Sequence, residues 1–234
     1  MELEDIKKIA AFDFDDTLAK TNSLIGVRFS NASLSFEDFL SKNSVKFVEH
    51  RLGFWWLNSA NYALLEDLEI PLDTDIEADY AQTMRIDIST IEVIHPMLAK
   101  MKLAIEDPDT LTLLVTARAG SAKTYSPSMG KEIKSTNRKQ IASFLNDNGL
   151  KIPDVHIHTV GDNGVDTSKK KAEVLKGYLA KYKPEELTFY DDSDRNIRQV
   201  ALLCNDASHR TKIFAYKVKN GKIIEKQGCD HKKG

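Results

Sequence analysis

The sequence predicts an α/β protein built on a doubly wound, mostly parallel sheet, with a helical insertion after the first strand. Two observations carry that prediction. Short apolar strand-like runs alternate with stretches of helical periodicity, an order that calls for a sheet covered on both faces. Two of those runs, Ile9–Phe14 and Leu187–Tyr190, end in paired acids, Asp13-x-Asp15 and Asp191-Asp192. Polar residues at the ends of buried strands mark the edge where such folds bind ligands.

Residues 8–14 read as the first buried strand. Pro96 to about Glu106 reads as a helix, with Met97, Leu98, Met101 and Ile105 near helical spacing and Pro96 in the first turn, where its missing N–H is harmless. Leu111–Thr116 is the next strand. Ile133, Ile141, Phe144 and Leu145 predict a helix over 131–148, stopped by Asn148-Gly149. Val155–Val160 alternates as a strand does. Ser168–Tyr182 reads as a helix with Val174, Leu175 and Leu179 on one face. After Leu187–Tyr190, residues 194–204 read as helical. Lys212–Val218, Asn220-Gly221 and Lys222–Glu225 read as strand, tight turn and strand.

Residues 21–92 break the alternation, leaving 1–20 and 93–234 as the expected core. Ser35-Phe-Glu-Asp38 is a capping pattern, and Phe39, Leu40, Phe47, Leu52, Phe54, Trp55, Trp56, Tyr62 and Leu65 supply a dense apolar set. The insertion is expected to be mainly helical. Its aromatic cluster has two readings, a cap that selects substrate over the sheet edge, or simply the insertion's own small core.

Composition sets the wider bounds. The 234 residues are 41% hydrophobic and 29% charged with a net charge of −2, an ordinary globular balance that argues against bulk binding of long nucleic acid. No run of about 20 apolar residues and no signal-peptide pattern occurs, so the expectation is a cytoplasmic protein without a membrane partner. Cys204 and Cys229 show no metal-ligand spacing and are expected as two reduced thiols.

The chemistry is written at the strand ends. Alternate side chains of a strand point the same way, so Asp13 and Asp15 project together and repel each other unless a cation lies between them. Mg²⁺ suits that position as a hard ion held by one or two carboxylates and substrate phosphate oxygens. Asp16-Thr17 could instead begin a turn and cap a helix. Thr116 ends the second core strand and, with the small residues after it, could hold a phosphate oxygen, while Arg118 offers a bidentate fork to an anion. Lys169, Lys170 and Lys171 open a helix, where cations are unfavourable without a compensating anion. Lys171 leads directly into the apolar face and is the phosphate-binding candidate. Asp191 and Asp192 bring further carboxylates to the same edge, with Asn196 a helical turn on; an acidic turn that caps the next helix is the other reading. Gly161–Asp166 is a competing acidic motif, set aside because it precedes the lysine-bearing helix and leaves a βα unit unexplained.

In order, Asp13-x-Asp15-x-Thr17, Thr116, Lys171 and Asp191-Asp192 resemble the four motifs of the haloacid dehalogenase superfamily of phosphohydrolases, over residues 8–20 and 93–200. The resemblance implies a Mg²⁺-dependent phosphomonoesterase with Asp13 as nucleophile and Asp15 as acid and base. It implies that Thr17, Thr116 and Lys171 bind the phosphoryl group and that Asp13, Asp15, Asp191 and Asp192 surround the metal. Val93–Met97, Arg118 and Asp166-Thr167 further resemble phosphatase domains of phage polynucleotide kinase/phosphatases and RNA-repair proteins, which implies nucleic-acid 3′ ends or nucleotides as substrate and Arg118 as a substrate contact. Lys123, Lys131, Lys134, Arg138 and Lys139 could follow a nucleic-acid backbone or form a solvated face. A small-metabolite phosphatase and a catalytically silent binding module remain the other expectations.

Overall fold

Ile9, Ala10, Ala11 and Phe12 are all buried, the mark of a strand covered on both faces. They form β1 (Lys8–Phe12) in the computed structural model, which describes residues 6–29, 35–66, 68, 76–161, 166–206 and 210–230. The chain then leaves the core through β2 (Ala19–Lys20), β3 (Ile25–Phe29), α1 (Phe36–Lys42), β4 (Glu49–Arg51), β5 (Phe54–Leu57), α2 (Ser59–Glu66) and β6 (Ile76–Asp79), and returns through β7 (Glu92–Val93). The stem is the antiparallel pair of β2 with β7, Ala19 opposite Val93 and Lys20 opposite Glu92.

The core resumes with α3 (His95–Glu106), β8 (Thr110–Thr116), the hairpin β9 (Lys123–Ser126) and β10 (Lys131–Lys134), and α4 (Asn137–Asp147). It continues through β11 (Ile157–Thr159), α5 (Thr167–Tyr182), β12 (Glu186–Asp191), α6 (Asp194–Ala201), β13 (Lys212–Lys219) and β14 (Lys222–Cys229). The main sheet runs β11-β8-β1-β12-β13-β14, parallel except for its last strand. Met97, Leu98 and Met101 of α3 and Ile141, Phe144 and Leu145 of α4 pack with Ala10 and Phe12 on one face. Leu175 and Leu179 of α5 and Ile197 and Val200 of α6 pack with Ile9 and Ala11 on the other. The chain is therefore an α/β protein with a mixed, mostly parallel sheet between helices. Among the described residues no helix is long and apolar enough to cross a membrane.

The chain leaves β1 for β8 and β11 on one side and later fills β12 and β13 on the other. The strand order reverses between β1 and β12, and their carboxyl ends open a crevice there.

Three expectations need correction. The insertion, expected to be mainly helical, also holds a sheet: among the described residues β4-β5-β3-β6 form a four-stranded antiparallel sheet, with α1 and α2 beside it. Its aromatic rings pack edge to face, Phe36 against Trp55 at 5.0 Å and Phe29 against Phe36 at 4.1 Å, and Ile25, Val27, Leu40 and Leu57 complete that core. Gly26 lets the Trp56 ring lie close to the backbone there; a Cβ would stand 3.2 Å from that ring and press it aside. Ser35 caps α1 by accepting the Asp38 N–H, as its pattern predicts.

Residues 131–134 form a strand rather than the first turn of a helix; Gly130, at φ 63°, closes a turn that pairs β10 with β9. Finally, Cys204 and Cys229 are not free thiols. They form a disulfide tying the turn after α6 to the end of β14.

The insertion is fixed to the core at its exit. Asp79, fully buried at the end of β6, accepts the Ala81 and Ser128 N–H groups and the Ser126 hydroxyl, each at 2.8 Å. Burial favours the neutral acid, but these bonds outweigh it and hold the carboxyl below its usual range.

Candidate functional site

Asp13 follows β1 directly, and its N–H donates to the Tyr190 carbonyl at 2.9 Å, extending the pairing of β1 with β12 by one residue. That bond fixes the Asp13 side chain beside Asp191, the last residue of β12. Lys171, in the second turn of α5, reaches between them. Its Nζ donates to Asp13 Oδ1 and to Asp191 Oδ2, both at 2.7 Å, and the side chains of all three are buried. Of the three lysines that open α5, Lys171 is thus the one directed into the crevice, while Lys169 pairs at the surface with Asp166.

Asp191 is held from the other side as well. Its Oδ1 accepts the Ser193 N–H and the Asn196 Nδ2 at 2.9 Å each, and Asn196 also reaches Oδ2 at 3.0 Å. Ser193 in turn caps α6 by accepting the Asn196 N–H. Asp191, Ser193 and Asn196 therefore form one turn in which Ser193 caps α6 while its N–H and Asn196 cradle the Asp191 carboxylate.

Asp192 completes an acidic triad with Asp13 and Asp191, whose candidate ligand oxygens lie within 4.8 Å of one another. Burial, then the Asp191 and Asp15 charges, push the Asp13 carboxyl up to about 8 against the pull of Lys171. Burial, then Asp191 and Asp13, push Asp192 well above its ordinary range. Burial alone would lower the Lys171 ammonium; Asp13 and Asp191 outweigh it and hold the proton more tightly than usual. Lys171 bonds only Asp13 and Asp191, and repulsion among the crowded acids adds to burial in shifting Asp13 and Asp192 toward the neutral form. A cation would relieve that repulsion. The donors are carboxylate oxygens, a hard set, so the residues fit a metal ion such as Mg²⁺.

Asp15 points elsewhere. The Arg118 guanidinium forks onto it, Nε to Oδ2 at 2.8 Å and Nη2 to Oδ1 at 2.7 Å, and the Thr21 hydroxyl donates to Oδ1 at 2.7 Å. Burial opposes ionisation of Asp15, but Arg118 and these bonds prevail and set the carboxyl below its usual range. Arg118 also donates to the Thr83 carbonyl at 3.0 Å and to the Thr21 and Ser23 hydroxyls at 2.8 and 3.0 Å. The sequence reading offers Arg118 to a substrate anion; in the structure its fork is engaged with Asp15 and with both ends of the insertion.

Thr116, fully buried, ends β8 two residues beyond Leu114, the partner of Phe12, and so lies at the same edge of the sheet; its Oγ1 accepts the Arg118 N–H at 3.3 Å. Thr17 is also fully buried, and its hydroxyl has no hydrogen-bond partner among the described residues. Such a group is unfavourable by about 1–3 kcal/mol unless a ligand satisfies it. Asp16 takes φ 54° in the turn after Asp15, and its Oδ2 accepts the Ser59 hydroxyl, a role in the turn rather than in the triad. Asp166 caps α5 and pairs with Arg195 at 3.0 Å; the rest of its motif, residues 162–165, lies outside the described residues. Lys123, Lys131, Lys134, Arg138 and Lys139 are all exposed.

Sequence reasoning missed Thr21, Ser23 and Ser193. The first two carry no pattern. Ser193 follows Asp191-Asp192 directly, and a serine after paired acids and before a helix is a capping signal that could have been read. Comparisons with protein-family models, curated proteins and solved structures return no match, so the chemistry of the site has to be argued from its own residues.

Proposed function

We propose that this chain is a Mg²⁺-dependent phosphomonoester hydrolase of the haloacid dehalogenase type, working through an aspartyl-phosphate. The observation that carries the reading is the buried Lys171 ammonium shared by Asp13 and Asp191 where the strand order reverses. A lysine so placed orients one Asp13 oxygen and leaves the other for attack, while its charge offsets that of a phosphoryl group.

In the first half-reaction an Asp13 oxygen attacks phosphorus as the bond to the leaving oxygen breaks, and Asp15 gives that oxygen a proton. In the second, water attacks the phosphorus, the Asp13–phosphorus bond breaks, Asp15 takes the water's proton, and inorganic phosphate leaves. Lys171 and Thr116 bind the phosphoryl oxygens, and the Thr17 hydroxyl finds its partner there. Asp13, Asp191 and Asp192 would hold Mg²⁺, whose charge would neutralise the phosphoryl oxygens when bound. Asp15, held ionised by Arg118, is set for the second half-reaction; to serve the first, it has to be released from the guanidinium and take up a proton from solvent once substrate is bound.

Nucleotides or nucleic-acid ends are the substrates suggested by the resemblance, and a small phosphorylated metabolite is the other. The test is hydrolysis of p-nitrophenyl phosphate with Mg²⁺ and with a chelator, in the native chain and in Asp13→Asn. Turnover that needs Mg²⁺ and is abolished by the substitution, in a variant that still unfolds cooperatively, supports the reading. Turnover that survives the substitution, or a native chain inactive on every phosphomonoester, sinks it and leaves the binding-module reading.

A further inference from the structure

Gly161 stands two residues after β11, at the same edge of the sheet as Thr116, and opens the acidic motif whose last residue, Asp166, caps α5. Its backbone conformation does not call for glycine, because its φ lies outside the left-handed region. Space does. A Cβ built on Gly161 would stand 2.2 Å from the Ala117 carbonyl oxygen and 2.9 Å from both the Ala119 nitrogen and the Arg118 carbonyl carbon. All three are backbone atoms, so no side chain can swing away to make room. Ordinary contact begins at about 3.4 Å, and an alanine would therefore drive the Ala117 carbonyl back by about 1 Å.

The segment Ala117–Ala119 is held on both sides. From β11, the Val160 N–H donates to the Thr116 carbonyl at 2.9 Å and the Gly161 N–H to the Arg118 carbonyl at 3.2 Å. From the opposite side, the Ser135 hydroxyl and the Asn137 amide donate to the Ala119 carbonyl at 2.6 and 2.9 Å, and both residues are buried. A retreat from position 161 would stretch the first pair of bonds and compress the second. Two groups of the candidate site depend on this segment. Thr116 precedes it, and its Oγ1 accepts the Arg118 N–H at 3.3 Å, which leaves the hydroxyl proton to be donated to an anion. Arg118 lies within it and forks onto Asp15. The other half of the site comes from the ends of β1 and β12 and from α5, where Lys171 joins Asp13 to Asp191.

We propose that Gly161 is a positioning residue for the reaction: the Cβ it lacks lets the segment lie where Thr116 meets the phosphoryl group and Arg118 meets Asp15. The proposal rests on the phosphatase reading for its reaction, while the packing behind it can be tested without turnover. A misplacement of about 1 Å can cost about a hundredfold in rate.

The experiment has two arms on the full chain. In the first, Gly161→Ala is compared with the native chain and with Gly177→Ala, whose added Cβ on α5 would meet nothing within 4 Å. In Gly161→Ala, kcat/KM for p-nitrophenyl phosphate should fall at least tenfold, and inhibition by inorganic phosphate should weaken at least tenfold. The Mg²⁺ concentration for half-maximal turnover should stay within twofold, because the acids and Lys171 keep their places. Gly177→Ala should match the native chain. A phosphate inhibition constant within twofold of native overturns the proposal. A Mg²⁺ value that moves with the other two marks a merely structural loss and overturns it as well. The second arm needs no turnover. Arg118→Gln is introduced into the native chain and into Gly161→Ala, and the shift it causes in the urea midpoint is read in both. That shift should be at least halved in Gly161→Ala, whose fork is already disturbed. An undiminished shift overturns the proposal, even in an active phosphatase. A halved shift in a chain that hydrolyses no phosphomonoester keeps Gly161 as the residue that places Arg118 and removes the phosphatase reading. If Gly161→Ala does not fold, Ser135→Ala frees the same segment from its other side without adding an atom, and the same outcomes decide.

Discussion

The guanidinium of Arg118 grips the carboxylate of Asp15, two residues after Asp13, in a two-bond fork, and the same side chain holds the Thr83 carbonyl and the Thr21 and Ser23 hydroxyls. Thr21 and Ser23 lie where the chain passes into the insertion, and Thr83 lies where it comes back. One buried side chain therefore joins both ends of the insertion to a carboxylate of the candidate site. A shift of the insertion has to change the surroundings of Asp15.

Replacing Arg118 with Gln should accordingly affect stability and turnover together. Asp15 retains 22% exposure, so the loss should be about 2–3 kcal/mol, below the range for a fully buried pair. Turnover of an alkyl phosphomonoester should fall at least tenfold. Arg118→Lys keeps the charge without the planar fork and should recover only part of either loss. Urea unfolding and steady-state kinetics on both variants check this; a Gln variant with native stability would mean that the fork is not formed.

Lys171→Met removes the one ammonium between two buried carboxylates. Breaking such a pair from one side is unfavourable by about 3–5 kcal/mol, because the uncompensated charge stays buried. Acid would neutralise the carboxylate left unpaired, so the deficit relative to the native chain should shrink at acid pH. Denaturant midpoints for both proteins, measured at neutral and acid pH, decide the matter. A deficit independent of pH would point to lost packing instead.

The Asp13 carboxyl sets a pH dependence with a definite sign. Folding raises it from 3.8 to about 8, so between those values the native chain keeps a proton that the unfolded chain has lost. Stability of the metal-free protein from this group is full below that window and declines as pH rises through it. Mg²⁺ binding requires the proton to leave, so its affinity should rise over the same window. Calorimetry at about pH 6 and about pH 8 should find tighter binding and fewer protons released at the higher value. Affinity flat across that range would contradict the placement of Asp13 among the ligands.

The Cys204–Cys229 disulfide spans 25 residues of sequence. In the chain-entropy account, closing a loop of that size stabilises the fold by about 3.5 kcal/mol. Urea unfolding with and without reductant should show a loss of about 2–4 kcal/mol on reduction. Cys204→Ser/Cys229→Ser should match the reduced protein and be indifferent to reductant. Equal stability in both conditions would show that the bond does not form in solution.

How far the site could be read in advance differs residue by residue. Asp13, Lys171 and Asp191 were accessible because each stands where an apolar strand or helix pattern meets a polar residue. The β9–β10 hairpin was misread because Ile133 and Ile141, eight residues apart, match a helical face as well as they fit separate elements. The Ser126-Pro-Ser-Met-Gly130 turn between its strands was the contrary signal. The insertion was misread because a dense aromatic run has no clear period and packs equally well on a sheet or a helix.

By itself the sequence determined the α/β order and the strand ends that carry acids, since these follow from local periodicity and from the direction side chains take on strands and helices, and it offered Lys171 as the candidate among three adjacent lysines. Tertiary structure alone decided that Lys171 is the lysine directed to Asp13 and Asp191, that Arg118 turns to Asp15, that the insertion contains a sheet, and that the cysteines meet. Each of those joins residues distant along the chain, and no local pattern of apolar and polar residues encodes which distant partner a side chain will find.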